Sequence, residues 1–84
     1  MYSVEFTQTA MKQLGKLPKK VQEDIIAKVE RARVRPEHFF ERLVGDTAYK
    51  LRIGQYRVIA DILHGRLLII VIEVGHRKNI YKTR

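Results

Sequence analysis

Tyr49-Lys50-Leu51-Arg52-Ile53-Gly54-Gln55-Tyr56-Arg57-Val58-Ile59-Ala60-Asp61-Ile62 is the stretch on which the fold turns. Tyr49, Leu51 and Ile53 alternate with Lys50 and Arg52, and Tyr56, Val58, Ala60 and Ile62 alternate beyond Gly54-Gln55. Alternation of period two predicts two strands, each with one face turned to a core. A two-residue loop with glycine first suits a primed hairpin turn. His64-Gly65 is a second tight-turn signal. Leu67 to Val74 is nearly all apolar, as a central strand covered on both faces should be, and Gly75 is expected to end it. The second half of the chain is therefore predicted to be an antiparallel meander.

Working outward toward the N-terminus, Tyr2, Val4 and Phe6 alternate with Ser3 and Glu5, which predicts a short half-buried strand. Thr7 or Thr9 is placed to cap a helix carrying Ala10, Met11, Leu14 and Leu17. Pro18 stops that helix and fits the first position of the next. Val21, Ile25, Ile26, Val29 and Ala32 then form one apolar stripe on a helix running to about Val34, with Pro36 beyond it. The two helices predict an αα-hairpin. Residues 35–47 are expected to be a loop in which Phe39, Phe40 and Leu43 tuck into the core. The expected order is β-α-α-β-β-β. This is an α+β fold, with an N-terminal helical hairpin laid on a small four-stranded sheet, and one domain spans residues 1–84.

The hairpins bring charge together. With a two-residue turn, Ile53 faces Tyr56 and Arg52 faces Arg57, with Lys50 two positions along the same face. Like charges directly opposite are destabilising. Two opposed arginines make sense if an anion lies over them, since guanidinium forks bind phosphate bidentately. A His64-Gly65 turn would pair Leu63 with Arg66 and Arg57 with Ile72. That register brings Gly75-His76-Arg77 near the cluster, with Tyr81 beyond. These are the parts needed to hold a phosphodiester and to stabilise charge as it is cleaved. His76 is a candidate proton carrier. Lys50 is a candidate base, because neighbouring cations favour release of its proton. Tyr81 is a candidate for base stacking. His38 is expected to be a partly buried loop residue and His64 an ordinary turn residue. Tyr2, Tyr49 and Tyr56 are expected in the core. Lys12, Lys16, Lys19 and Lys20 fit either a solvated helix face or a phosphate-contacting surface.

The charge balance agrees. There are 17 Lys and Arg against 9 Asp and Glu, a net charge of +8. Residues 1–49 hold 9 basic and 7 acidic residues, and residues 50–84 hold 8 basic and only 2 acidic ones. An excess concentrated in this way points to a polyanionic partner. The chain has no cysteine, which excludes disulfides, thiolate zinc sites and a cysteine nucleophile. Three scattered histidines, with no cluster of acids at ligand spacing, predict no metal site. The longest apolar run, Leu67 to Ile72, is far short of a membrane span, and Met1 to Phe6 lacks a signal-peptide layout. A cytoplasmic domain without membrane contact is expected.

The segments Leu43-Val44-Gly45-Asp46, Tyr49 to Ile59, and Val74-Gly75-His76-Arg77-Lys78-Asn79-Ile80-Tyr81 together resemble the RelE/ParE toxin superfamily, on its RelE side. The resemblance covers essentially the whole chain. It implies the small RelE fold and the toxin of a type II toxin–antitoxin pair. It also implies a ribosome-dependent endoribonuclease that cuts mRNA in the A site by 2′-hydroxyl attack, without metal or cofactor. By the same resemblance Lys50 and Arg52 match a basic pair, Arg57 the transition-state arginine, Arg77 the arginine after the last strand, and Tyr81 the C-terminal aromatic. His76 stands where a histidine acts in some branches. Lys78, Lys82 and Arg84 are expected to contact RNA. Some relatives carry lysine at the position of Arg52. Because arginine hardly ever deprotonates, a base role falls instead to Lys50. The implied partners are the ribosome and a RelB-like antitoxin with an extended, often acidic segment. Two other readings share the fold: a ParE-like gyrase inhibitor that is not a nuclease, and an inactive RNA-binding remnant.

Overall fold

The computed structural model describes residues 1–76 of the chain. Strand β1 (Ser3–Phe6) leads into helices α1 (Gln8–Gly15) and α2 (Lys19–Ala32). Strands β2 (Glu41–Arg42), β3 (Tyr49–Ile53), β4 (Tyr56–Leu63) and β5 (Leu68–His76) follow. The sheet order is β1-β5-β4-β3-β2. β1 runs parallel to β5, and every other pair is antiparallel. The α+β class, the helical hairpin and the meander are as the sequence predicts.

Local chemistry explains the helices. The Thr7 hydroxyl accepts the Ala10 N–H at 3.1 Å and so caps α1. Pro18 takes the cap position of α2 rather than its first helical turn. Ala10 and Leu14 of α1, with Ile25, Val29 and Ala32 of α2, press onto one sheet face against Leu51, Val58, Ala60, Ile69 and Val71. Ile25 is fully buried, and burial of such a side chain contributes about 1.5–3 kcal/mol. Two residues expected on the apolar stripes, Met11 and Ile26, are exposed instead. His38, expected to be partly buried, is exposed at the end of a 3-10 turn, Pro36–His38. Tyr2, Tyr49 and Tyr56 pack against the core as expected.

Three features depart from the expected sheet. First, it has five strands and not four. Glu41 and Arg42 add a two-residue edge strand, too short to show alternation and exposed at both positions. Second, the β4–β5 connection is longer than a two-residue turn. A 3-10 turn, His64–Arg66, is followed by Leu67 in the left-handed region at φ 51°, and Leu63 pairs with Leu68. A shift of two residues keeps the same side chains on the same faces, so alternation alone does not distinguish the registers. Third, β5 carries an extra residue. Ala60 pairs with Val71, but Ile59 pairs with Glu73, which leaves Ile72 as a bulge. Together these shifts move the partner of Arg57 from the expected Ile72 to Gly75, and β5 continues through Gly75 to His76.

Candidate functional site

The β3–β4 hairpin has the predicted turn. Gly54 has φ 58°, the left-handed value that a primed turn needs at its first position, and Ile53 pairs with Tyr56. Arg52 and Arg57 are therefore directly opposite, and Lys50 lies one row along, opposite Ile59. All three side chains belong to the sheet face turned away from the helices, since the intervening Leu51 and Val58 are in the helix-side core. They share a cleft of about 250 Å³ with Lys28, Phe39 and Glu41.

Burial differs across the cluster. Arg57 is only 9% exposed, Lys50 is half-buried, and Arg52 is exposed. Arg57 thus supplies positive charge at the floor, where solvent screens it least, while Arg52 and Lys50 present theirs at the mouth. Donors fixed in such a place stabilise charge that develops on a bound phosphate without having to reorganise.

Lys28, Phe39 and Glu41 are lining residues that the sequence pattern did not single out. Lys28 reaches from α2 to the open edge of β3, where its Nζ donates to the Arg52 carbonyl at 3.0 Å. It adds a fourth cation to the cleft. Glu41 faces Lys50 across the β2–β3 pair and brings a carboxylate into the same space. Phe39 adds an aromatic wall. Position along α2 and membership of a two-residue strand give no local signal for any of these. Only the tertiary placement of the 35–47 segment reveals them.

His76 stands opposite Tyr56, with ring centroids 5.6 Å apart in an edge-on contact. It belongs to the register row of Tyr56 and does not line the cleft with the Arg52–Arg57 pair. Its backbone neighbour Gly75 is the residue that abuts Arg57. His64 lies at the far end of the β4–β5 hairpin, where the Tyr2 hydroxyl meets its Nδ1 at 2.8 Å, consistent with a turn residue. Arg77, Lys78, Tyr81, Lys82 and Arg84 lie outside the described residues. A second, larger hollow of about 770 Å³ beside Arg42–Thr47 is open to solvent and offers one cation, Arg42, beside Asp46. It lacks the convergence of charge that marks the cleft.

A helical hairpin on one face of a five-stranded sheet, with a basic cleft on the other, defines a toxin of the RelE/ParE fold. The family model described as the ParE toxin of the parDE type II toxin–antitoxin system matches residues 4–81, and the chain belongs to that family. Solved structures agree. The chain resembles the toxin of the RelBE complex of Mycobacterium tuberculosis at 25% identity and a TM-score of 0.84, over 90% of this chain and 98% of that one. It resembles the isolated RelE toxin of Escherichia coli at 26% identity and a TM-score of 0.79, over 99% and 94%. A match to the intact Escherichia coli RelBE complex has 26% identity and a TM-score of 0.79, over 90% and 96%. No curated protein sequence matches the chain. Among the described residues, no helix is long and apolar enough to cross a membrane.

Proposed function

We propose that this toxin is a ribosome-dependent mRNA endoribonuclease that needs no metal or cofactor. The observation that carries the reading is the direct apposition of Arg52 and Arg57 in a cleft also lined by Lys50 and Lys28. Like charges directly opposite are destabilising, whereas a scissile phosphate can bind both guanidinium groups at once.

In this reading the ribose 2′-oxygen attacks the adjacent phosphorus. The bond from phosphorus to the 5′-oxygen breaks, leaving a 2′,3′-cyclic phosphate and a 5′-hydroxyl. Lys50, acting as the neutral amine, takes the proton from the 2′-hydroxyl. Arg57 and Arg52 hold the non-bridging oxygens as negative charge builds on them. The departing 5′-oxygen takes its proton from water, since His76 stands in the Tyr56 row away from the cleft. Arg77 and Tyr81 act on the nucleotide, and Lys78, Lys82 and Arg84 hold RNA. The ribosome supplies the rest of the binding surface. A RelB-like antitoxin with an acidic segment is the cytoplasmic partner that keeps the toxin inactive, and a net charge of +8 suits both partners.

One finding favours a second reading. The matching family model is the ParE one, and a ParE-like gyrase inhibitor would use this fold without cutting RNA. Induced expression separates the two. The nuclease reading expects translation to stop and cellular mRNA to acquire cyclic-phosphate ends within codons, with both effects absent for Arg57→Ala. Growth arrest with DNA damage signalling and intact mRNA would establish the gyrase reading instead.

A further inference from the structure

The extra residue in β5 is held from outside the sheet. The Thr7 hydroxyl donates to the Ile72 carbonyl at 3.2 Å, and the Thr7 N–H donates to the Val71 carbonyl at 2.9 Å. Six residues further along, the Gln13 Oε1 accepts the Val74 N–H at 2.8 Å. One polar side chain from each end of α1 thus binds the strand, Thr7 at the bulge residue and Gln13 two residues beyond it. β1 ends at Phe6 opposite Val71, so the Ile72 carbonyl and the Val74 N–H lie beyond the last residue that β1 pairs.

The bulge decides which side chains face the cleft. Val71 and Val74 are both buried in the helix-side core although three positions apart, a spacing that an unbroken strand cannot give. Continued without the bulge, the first half of the β4–β5 ladder would pair Val58 with Glu73 and Arg57 with Val74. Glu73 would then enter the face of Val58, which is fully buried, and Val74 would stand beside Arg57. With the bulge, Glu73 pairs with Ile59 on the cleft side and Gly75, which has no side chain, abuts Arg57. The end of β5 therefore runs in phase with the Arg57 face as far as Gly75.

We propose that Gln13 and Thr7 are positioning residues that fix the bulge at Ile72–Glu73 and so set the register of Arg57 against Gly75. The catalytic consequence rests on the nuclease reading, whereas the register consequence does not. Gln13→Leu removes the acceptor at similar volume, and Gln13→Glu retains an acceptor oxygen. Two readouts are needed. NMR follows the cross-strand contact between Arg57 and Gly75 together with exchange of the Val74 amide. Cleavage of a defined mRNA on purified ribosomes gives kcat and KM. Gln13→Leu is expected to weaken the contact and speed Val74 exchange by about tenfold or more. Its kcat should fall by about 10- to 100-fold with KM little changed, because small misplacement costs rate rather than binding. Gln13→Glu should restore both readouts. Unchanged Val74 exchange in Gln13→Leu, or a lost contact with wild-type kcat, overturns the proposal. If the wild type cuts no mRNA, the nuclease reading fails, and the NMR readout alone decides the positioning role: loss supports it and retention overturns it. If Gln13→Leu does not fold, Gln13→Ala is judged by the same two readouts.

Discussion

Arg57 combines two demands that rarely coincide. It is a buried cation on a β-strand, and it faces another arginine. Replacing it separates charge from shape. Arg57→Ala is expected to lower mRNA cleavage by about 100-fold or more, the usual scale for removing a preorganised donor. Arg57→Lys keeps the charge but not the fork, and should restore only part of that loss. Arg52 gives the opposite signature. It is exposed and opposes a like charge, so Arg52→Gln should leave thermal stability equal or higher while cleavage falls. Thermal melts alongside cleavage assays check both residues. Lys50, Arg52 and Arg57 were legible in the sequence because a glycine-led turn between two alternating runs fixes which residues face each other. Lys28, Phe39 and Glu41 were not. They reach the cleft from α2, from a loop and from a two-residue strand, and none of those carries a pairing signal.

At the scale of elements, the β3–β4 hairpin depends on Gly54. At φ 58° an L side chain is strained, although a Cβ there would meet nothing within 4 Å. Gly54→Ala should therefore cost about 1–2 kcal/mol through backbone strain alone. For a domain of this size that is a fall in Tm of about 4–8 °C per kcal/mol, measurable by circular dichroism. The β4–β5 hairpin was less legible, for the same physical reason that the first was easy. His64-Gly65 looks like a tight turn, but Leu67 occupies the left-handed position and Leu63 pairs with Leu68, two residues beyond the expected Arg66. Registers that differ by two keep identical faces, so hydrophobic alternation cannot choose between them. The bulge after Val71 is invisible to pattern altogether. Its determinants, Thr7 and Gln13, lie about sixty residues away in sequence. The helices were legible in type and face; Met11 and Ile26 are exposed, and α2 ends at Ala32 rather than near Val34.

For the whole molecule, the unequal division of charge acquires a place. The helices cover one face of the sheet, and three cations of the 50–84 segment, Lys50, Arg52 and Arg57, share the other. Binding to RNA should therefore depend steeply on ionic strength. A plot of log affinity against log salt should be linear, and its slope should become shallower by about 0.7 for each cation removed that contacts single-stranded RNA. Arg52→Gln and Lys28→Gln, titrated singly against a short RNA, measure that slope. A slope unchanged by either substitution would place the RNA elsewhere on the molecule.

On the proposed nuclease reading, the opposed arginines make this cleft a phosphodiester-cutting site. The most direct test is to add the purified toxin to ribosomes programmed with one defined mRNA and to map the 3′ ends formed. Cuts at the A-site codon that end in 2′,3′-cyclic phosphate are expected for the wild type, and their loss for Arg57→Ala. Intact mRNA under the wild-type toxin, or equal cutting by Arg57→Ala, would contradict it.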